Sequence, residues 1–97
     1  MVGVAVRMDK SDDGICTGCR VVLNAVDCGP TEVRDARELL EGRAPTSDLI
    51  QEVALQAEKR AHPVANTPGS TPAYRRQMAG ILTYRALHQV AHSLGMI

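Results

Sequence analysis

The stretch STPAYRRQMAGILTYRAL, Ser70–Leu87, carries the most specific pattern in the chain. It opens on Ser70 and Thr71, whose hydroxyl oxygens can accept hydrogen bonds from the free amides at a helix start, and Pro72 suits the first turn. The stretch therefore predicts a helix. Apolar side chains then recur at helical spacing on one face: Tyr74, Met78, Ile81 and Leu82.

The same helix carries a second apolar group further along. This group comprises Leu87, Val90, Ala91 and Leu94. At about 100° per residue the two groups point in nearly opposite directions. Either the helix passes from one neighbour to another, or its end packs on a different chain. We expect the second group to form an exposed apolar patch, which usually marks an interface. The interface candidates are Tyr74, Arg75, Arg76, Leu87, Val90, Ala91 and Leu94.

Two strands are predicted near the N-terminus. Val2–Met8 alternates valines with small or charged residues, which is typical of a strand with one apolar face. Asp9–Gly14 is rich in acidic residues and ends on glycine, so it predicts a turn. Ile15–Val26 is the second apolar run. The two runs predict an antiparallel hairpin.

Helical patterns follow the hairpin. Glu32–Glu41 predicts a short helix that Gly42 stops. Thr46 or Ser47 can cap the next helix, which runs to about His62. Its apolar stripe is Leu49, Ile50, Val53, Ala54, Ala57 and Ala61. Together the elements predict an α+β fold, a small antiparallel sheet followed by three helices packed on one face.

Composition restricts the classes of function. With 97 residues the chain is expected to form one domain, 1–97, and it contains no Trp or Phe, so its core is thin. Eleven basic and eleven acidic residues balance, which disfavours nucleic-acid binding. No apolar run is long enough for a membrane span, and we expect a cytoplasmic protein.

Three cysteines are the first candidates for chemistry. Cys16 and Cys19 form a CTGC motif, and Cys28 follows. Two thiolates at this spacing can bind zinc or an iron–sulfur cluster, or act as a redox pair. Simple strand alternation places Cys16 and Cys19 on opposite faces, and the nearest histidine in sequence is His62. We therefore expect three reduced side chains and no metal.

Other catalytic and cofactor patterns are absent from the sequence. His88 and His92 share a helix face at a spacing that can hold zinc, but no acidic residue stands near them. No Gly-rich loop opens a helix after a strand, so no phosphate cradle for FAD is present. We predict no catalytic, cofactor-binding or metal-binding residue.

The chain resembles the C-terminal domain of the FAD-binding (medium) subunit of molybdenum hydroxylases, the carbon monoxide dehydrogenase and xanthine dehydrogenase family. The resemblance rests on the Tyr-Arg-Arg triplet Tyr74–Arg76 and the aliphatic run after it, and it covers about Val2–Leu87. His62–Thr67 looks like the turn between the last two helices, and Arg20–Val26 looks like the second strand. Asn24 and Ala25 replace a usual glycine pair, and 27–29 look like an insertion.

The resemblance implies more than the residue patterns do. It implies that Thr31–Arg34 is partly extended and adds a third strand. It implies a non-catalytic domain, without a flavin-binding domain of its own, that makes subunit contacts in an oxidoreductase. The FAD lies elsewhere in the parent subunit, and the implied partners are the flavin-binding domain and the iron–sulfur and molybdenum subunits.

Two alternatives stay open from the sequence. The chain could be a free-standing interaction or dimerisation module from a split gene, acting as a homodimer through its last helix. It could also be a small metal or thiol protein that uses Cys16, Cys19 and Cys28. Flavin-binding sequence immediately upstream, in the same or an adjacent gene, would separate these hypotheses.

Overall fold

A computed structural model describes residues 3–24, 31–61 and 72–96. Three strands precede three helices in these ranges, as predicted. The elements are β1 (Gly3–Lys10), β2 (Cys16–Asn24), β3 (Thr31–Glu32), α1 (Asp35–Leu40), α2 (Ser47–Arg60) and α3 (Pro72–Ser93). The predicted α+β class is confirmed.

The sheet is antiparallel throughout, with the strand order β1-β2-β3. β1 and β2 form the predicted hairpin, and Gly14 in its turn has φ +79°, a conformation that favours glycine. Thr31 and Glu32 pair with Leu23 and Val22, which confirms the third strand implied by the resemblance.

The short helix after the sheet begins later than its periodicity predicts. The predicted start at Glu32 is wrong because that residue belongs to β3, and α1 begins at Asp35. Val33 leaves the strand with its N–H donated to the Val21 carbonyl at 2.8 Å. Val33, Ala36 and Leu40 are fully buried, and Leu39 is partly buried.

α2 begins and ends close to its predicted limits. The Leu49 N–H donates to the Thr46 side-chain oxygen at 3.2 Å, which confirms Thr46 as the N-cap. The helix ends at Arg60 because Ala61 is extended, with ψ 127°. The predicted apolar stripe faces inward: Ile50, Val53, Ala54, Ala57 and Ala61 are buried, and Leu49 is partly buried.

α3 is long enough to serve two neighbours. Its 22 residues pack first on α2 and then on β1, so the helix passes from one neighbour to another within the chain. Gly80 lies at the close approach to α2, where a Cβ would come within 3.2 Å of the Ala54 carbonyl oxygen. In its first half the buried positions are Arg75, Ala79, Gly80 and Thr83, rather than the predicted large apolar residues.

The second apolar group of α3 lies in the core. Leu87 and Ala91 have no exposed surface, and Val90 and Leu94 are partly buried against the core. The predicted uncovered patch is therefore wrong, because the chain's own core covers these residues and α3 contacts both α2 and β1. The Lys10 ammonium also donates to the Leu94 carbonyl at 2.6 Å, which ties β1 to the end of α3.

Several sequence predictions fall outside the described residues. These are the helix cap at Ser70 or Thr71, the turn at His62–Thr67, the insertion at 27–29, and the thiol of Cys28. Within the described ranges no helix is both long enough and apolar enough to cross a membrane.

Candidate functional site

The CTGC motif places both of its thiols in the core. The β1–β2 register passes from Asp9 opposite Gly18 to Lys10 opposite Cys16, so Thr17 is an extra residue in β2. A bulge of this kind reverses the alternation beyond it. Cys16 therefore shares a face with Cys19, and the predicted opposite orientation is wrong. Both cysteines are buried and reduced.

Burial makes these thiols poor nucleophiles. Burial, together with the smaller effect of the nearby charges of Cys16 and Glu41, raises the pKa of Cys19 to about 12. Burial also raises the pKa of Cys16. Because the thiolate is the reactive and metal-binding form, both thiols behave as small core side chains near neutral pH.

No metal-binding cluster is present in residues 3–24, 31–61 and 72–96: no three His, Cys, Asp or Glu side chains are grouped to hold an ion. The predicted histidine pair on α3 has a different environment. His88 stacks on Tyr84, with ring centroids 5.8 Å apart, and His92 is exposed.

Three of the residues predicted to form an interface lie at the start of α3. Tyr74 is 54% exposed, and Leu55 of α2, at 42%, is the other large exposed hydrophobic residue in the described part of the chain. Arg76 lines a depression of about 360 Å³ together with Leu55 and residues of α2. Arg75 is only 4% exposed, so Arg76 is the arginine of the pair that can reach a neighbour.

A groove continues along the junction of α2 and α3. It has a volume of about 310 Å³, and its apolar lining includes Leu55, Ile81 and Tyr84. Glu58 and Arg85 add charges of opposite sign to its walls. The groove and the depression share Leu55, so they form one continuous surface on the helical side of the domain.

The outer face of the sheet carries a charged depression that the sequence patterns did not single out. Arg7 and Arg20 lie directly opposite each other on β1 and β2, and with Arg37 they line a depression of about 240 Å³. Asp9 and Glu41 are its acidic lining residues, and Glu41 accepts the Cys19 N–H at 3.0 Å. The predicted turn at Asp9–Gly14 would have set Arg7 opposite Cys16, so only the observed register, with the strands joined through 11–15, brings the two arginines together.

The sequence of the chain matches a known protein family. A family model described as the CO dehydrogenase flavoprotein C-terminal domain matches residues 1–90. The chain belongs to this family. The resemblance carried by Tyr74–Arg76 and the preceding strands is thereby confirmed. No curated protein sequence matches the chain.

Solved structures share the fold of the domain. Carbon monoxide dehydrogenase from Hydrogenophaga pseudoflava is 31% identical, with a TM-score of 0.80 over 90% of this chain and 30% of that one. CO dehydrogenase from Oligotropha carboxidovorans is 24% identical, with a TM-score of 0.82 over 94% of this chain and 31% of that one. Quinoline 2-oxidoreductase from Pseudomonas putida 86 is 21% identical, with a TM-score of 0.84 over 95% of this chain and 32% of that one.

The chain spans about a third of the length of these solved chains. The described part of this chain carries two notable surface features, which are a helical surface around Leu55 and Tyr74 and an arginine-lined depression on the sheet.

Proposed function

We propose that this chain is the C-terminal, non-catalytic domain of an FAD-carrying subunit in a molybdenum-containing hydroxylase, and that it makes contacts within the assembled enzyme. The family match over residues 1–90 is the observation that carries this proposal. The 30–32% coverage of the solved chains supports it, because the flavin-binding part belongs to the remaining length.

The helical surface is the face we propose for contact with the iron–sulfur or molybdenum subunits. Tyr74 and Leu55 expose large apolar side chains, and Arg76 supplies a charge beside them. Aromatic residues and arginine are enriched at interfaces because each covers a large area and retains a polar end. We assign to this surface the interface role that the sequence predicted for Leu87 and Ala91, because those two residues are buried in the chain.

The first experiment tests the domain assignment. The gene region upstream is sequenced, and the whole flavoprotein subunit is produced with and without residues 1–97, together with the other subunits. We expect the full subunit to hold stoichiometric FAD and to assemble. Deletion of residues 1–97 should abolish assembly. An absence of flavin-binding sequence upstream, or equal assembly without residues 1–97, would refute the proposal.

The second experiment tests the surface. Tyr74→Asp combined with Leu55→Asp places charge on the exposed apolar residues. We expect loss of assembly with FAD content unchanged. Gln89→Asp, at an exposed position near the other end of α3, is the matched control and should assemble normally. Assembly of the double variant at the level of the control would exclude this face.

A further inference from the structure

Charge is divided unevenly along the chain. All eleven acidic residues lie in 1–58, together with six basic ones, so this part has a net charge of −5. The rest of the chain, 59–97, carries five basic side chains and no acidic one, a net charge of +5. Such an asymmetry points to a charged partner. α3 lies entirely within the basic part, so this helix has no carboxylate of its own to pair with its arginines.

Three of these cations stand on the helical surface formed by the depression and the groove. Arg76 and Lys59 line the depression, and Arg85 lines the groove that continues from it. All three are exposed, and none of them makes an ion pair with another described residue. The neighbouring Arg60, by contrast, is held by Asp35 at 2.9 Å. The surface therefore keeps three cations available to a partner.

Carboxylates on this surface are fewer than the cations. Glu58 is the one carboxylate among the described residues that line the groove and the depression. Its Oε2 packs over α3, 3.3 Å from where a Cβ on Gly80 would lie. Glu52 is also exposed on α2, and it accepts a hydrogen bond from Gln56 of the same helix at 3.4 Å. Even with Glu52 counted, positive charge is in excess.

Apolar side chains lie among these charges. Leu55 belongs to both the depression and the groove, and Ile81 and Tyr84 line the groove. An apolar centre with charged residues around it is the usual anatomy of a protein interface. Nucleic-acid binding instead depends on many cations that neutralise successive phosphates. The helical surface therefore fits a protein partner.

We propose that the helical surface binds an acidic surface of another subunit of the enzyme, with Asp or Glu side chains of that subunit against Arg76 and Arg85 and an apolar side chain against Leu55. The inference rests on the proposed function and adds the chemistry of the partner at the same surface. Charge complementarity carries it, because an arginine fork matches a carboxylate and a basic surface would be repelled.

The first test measures the contribution of the two arginines to assembly. The dissociation constant between the whole flavoprotein subunit and the other subunits is measured at low and at high salt. Arg76→Gln with Arg85→Gln should raise it at least about tenfold at low salt, because partner carboxylates lose their pairs. The difference from the native subunit should shrink at high salt, which screens exposed charges.

The matched control for these changes is Arg34→Gln with Arg43→Gln. Both arginines are exposed, neither makes an ion pair with a described residue, and both precede α2. The control removes the same charge, so it should leave the dissociation constant close to the native value. Equal dissociation constants for the control and for the Arg76 and Arg85 variant would overturn the inference.

The second test identifies the partner group in the assembled enzyme. The photo-crosslinking residue p-benzoylphenylalanine replaces Gln77, an exposed residue of the groove, and mass spectrometry maps the crosslinked peptides. We expect a peptide of another subunit that contains Asp or Glu. Changing that acidic residue to Arg should weaken assembly, and combining the change with Arg76→Glu and Arg85→Glu should restore it. A crosslink to the same subunit, to a second copy or to nothing would overturn the proposal.

The outcomes separate this inference from the proposed function. Equal assembly with and without residues 1–97 would refute the proposed function and the inference together. A subunit that needs residues 1–97 for assembly, but loses no affinity when Arg76 and Arg85 are changed to Gln, would refute only the acidic partner.

Discussion

Leu87 offers a direct test of whether the end of α3 belongs to the core of one chain. Its side chain has no exposed surface, and it belongs to the hydrophobic core of the domain. Leu87→Ala removes buried methyl groups and leaves a cavity that the neighbours fill incompletely. Buried leucine-to-alanine changes typically cost about 2–5 kcal/mol, combining lost transfer free energy with the cavity cost. For a chain of this size that corresponds to a fall in Tm of roughly 8–40 °C.

The matched control for Leu87→Ala is Leu55→Ala on α2. Both changes replace a helical leucine with alanine, so the difference in intrinsic helix propensity cancels. Leu55 is 42% exposed, so its replacement should lower the free energy of unfolding by about 1 kcal/mol or less. Both variants are compared with the native chain by urea unfolding followed by circular dichroism.

Sedimentation of the same samples separates core from interface. If Leu87 belongs to the core, Leu87→Ala lowers the free energy of unfolding and leaves the molecular mass unchanged. Equal unfolding free energies for the Leu87 and Leu55 variants, or a dimer that becomes a monomer without loss of stability, would refute the packing argument.

Two further predictions follow from buried contacts. Above about pH 9, the free energy of unfolding should fall as pH rises, because the unfolded Cys19 thiol loses its proton near its ordinary pKa of 9.0 whereas the folded thiol keeps it to about 12. Urea unfolding at pH values on both sides of 9.0 should show a weaker pH dependence in Cys19→Ala, and an identical one would contradict the raised pKa. Gly80→Val should cost about 1–3 kcal/mol, since even a Cβ there would meet the Ala54 carbonyl oxygen at 3.2 Å. Thermal unfolding should show no such loss in the control Ala73→Val, at an exposed site of the same helix.

Much of the element order could be predicted because it depends on local chemistry. Alternating valines make β1 a strand, Gly14 closes the hairpin at positive φ, and the Thr46 oxygen caps α2. The periodicity of α2 also identified its buried stripe, since a regular apolar stripe on one helix needs one partner surface. β3 was predicted only from the family resemblance, because a strand of two residues is too short to show an alternating pattern in the sequence.

The candidate surfaces were less accessible from the sequence. Helical periodicity selected large apolar residues at the start of α3, but the contact with α2 uses small ones at Ala79 and Gly80, and Tyr74 stays exposed. The charged depression depends on the cross-strand pairing of Arg7 with Arg20, which are 13 positions apart in the printed sequence.

The sequence by itself determined the elements, their order and the family, because capping, turn chemistry and alternation act over a few residues. Tertiary structure alone decided which faces are covered. The bulge at Thr17 places Cys16 in the core beside Cys19, and packing against the rest of the core buries Leu87 and Ala91. Both outcomes depend on pairing between distant segments, since the burial of a side chain is set by its neighbours in space and not by its own pattern.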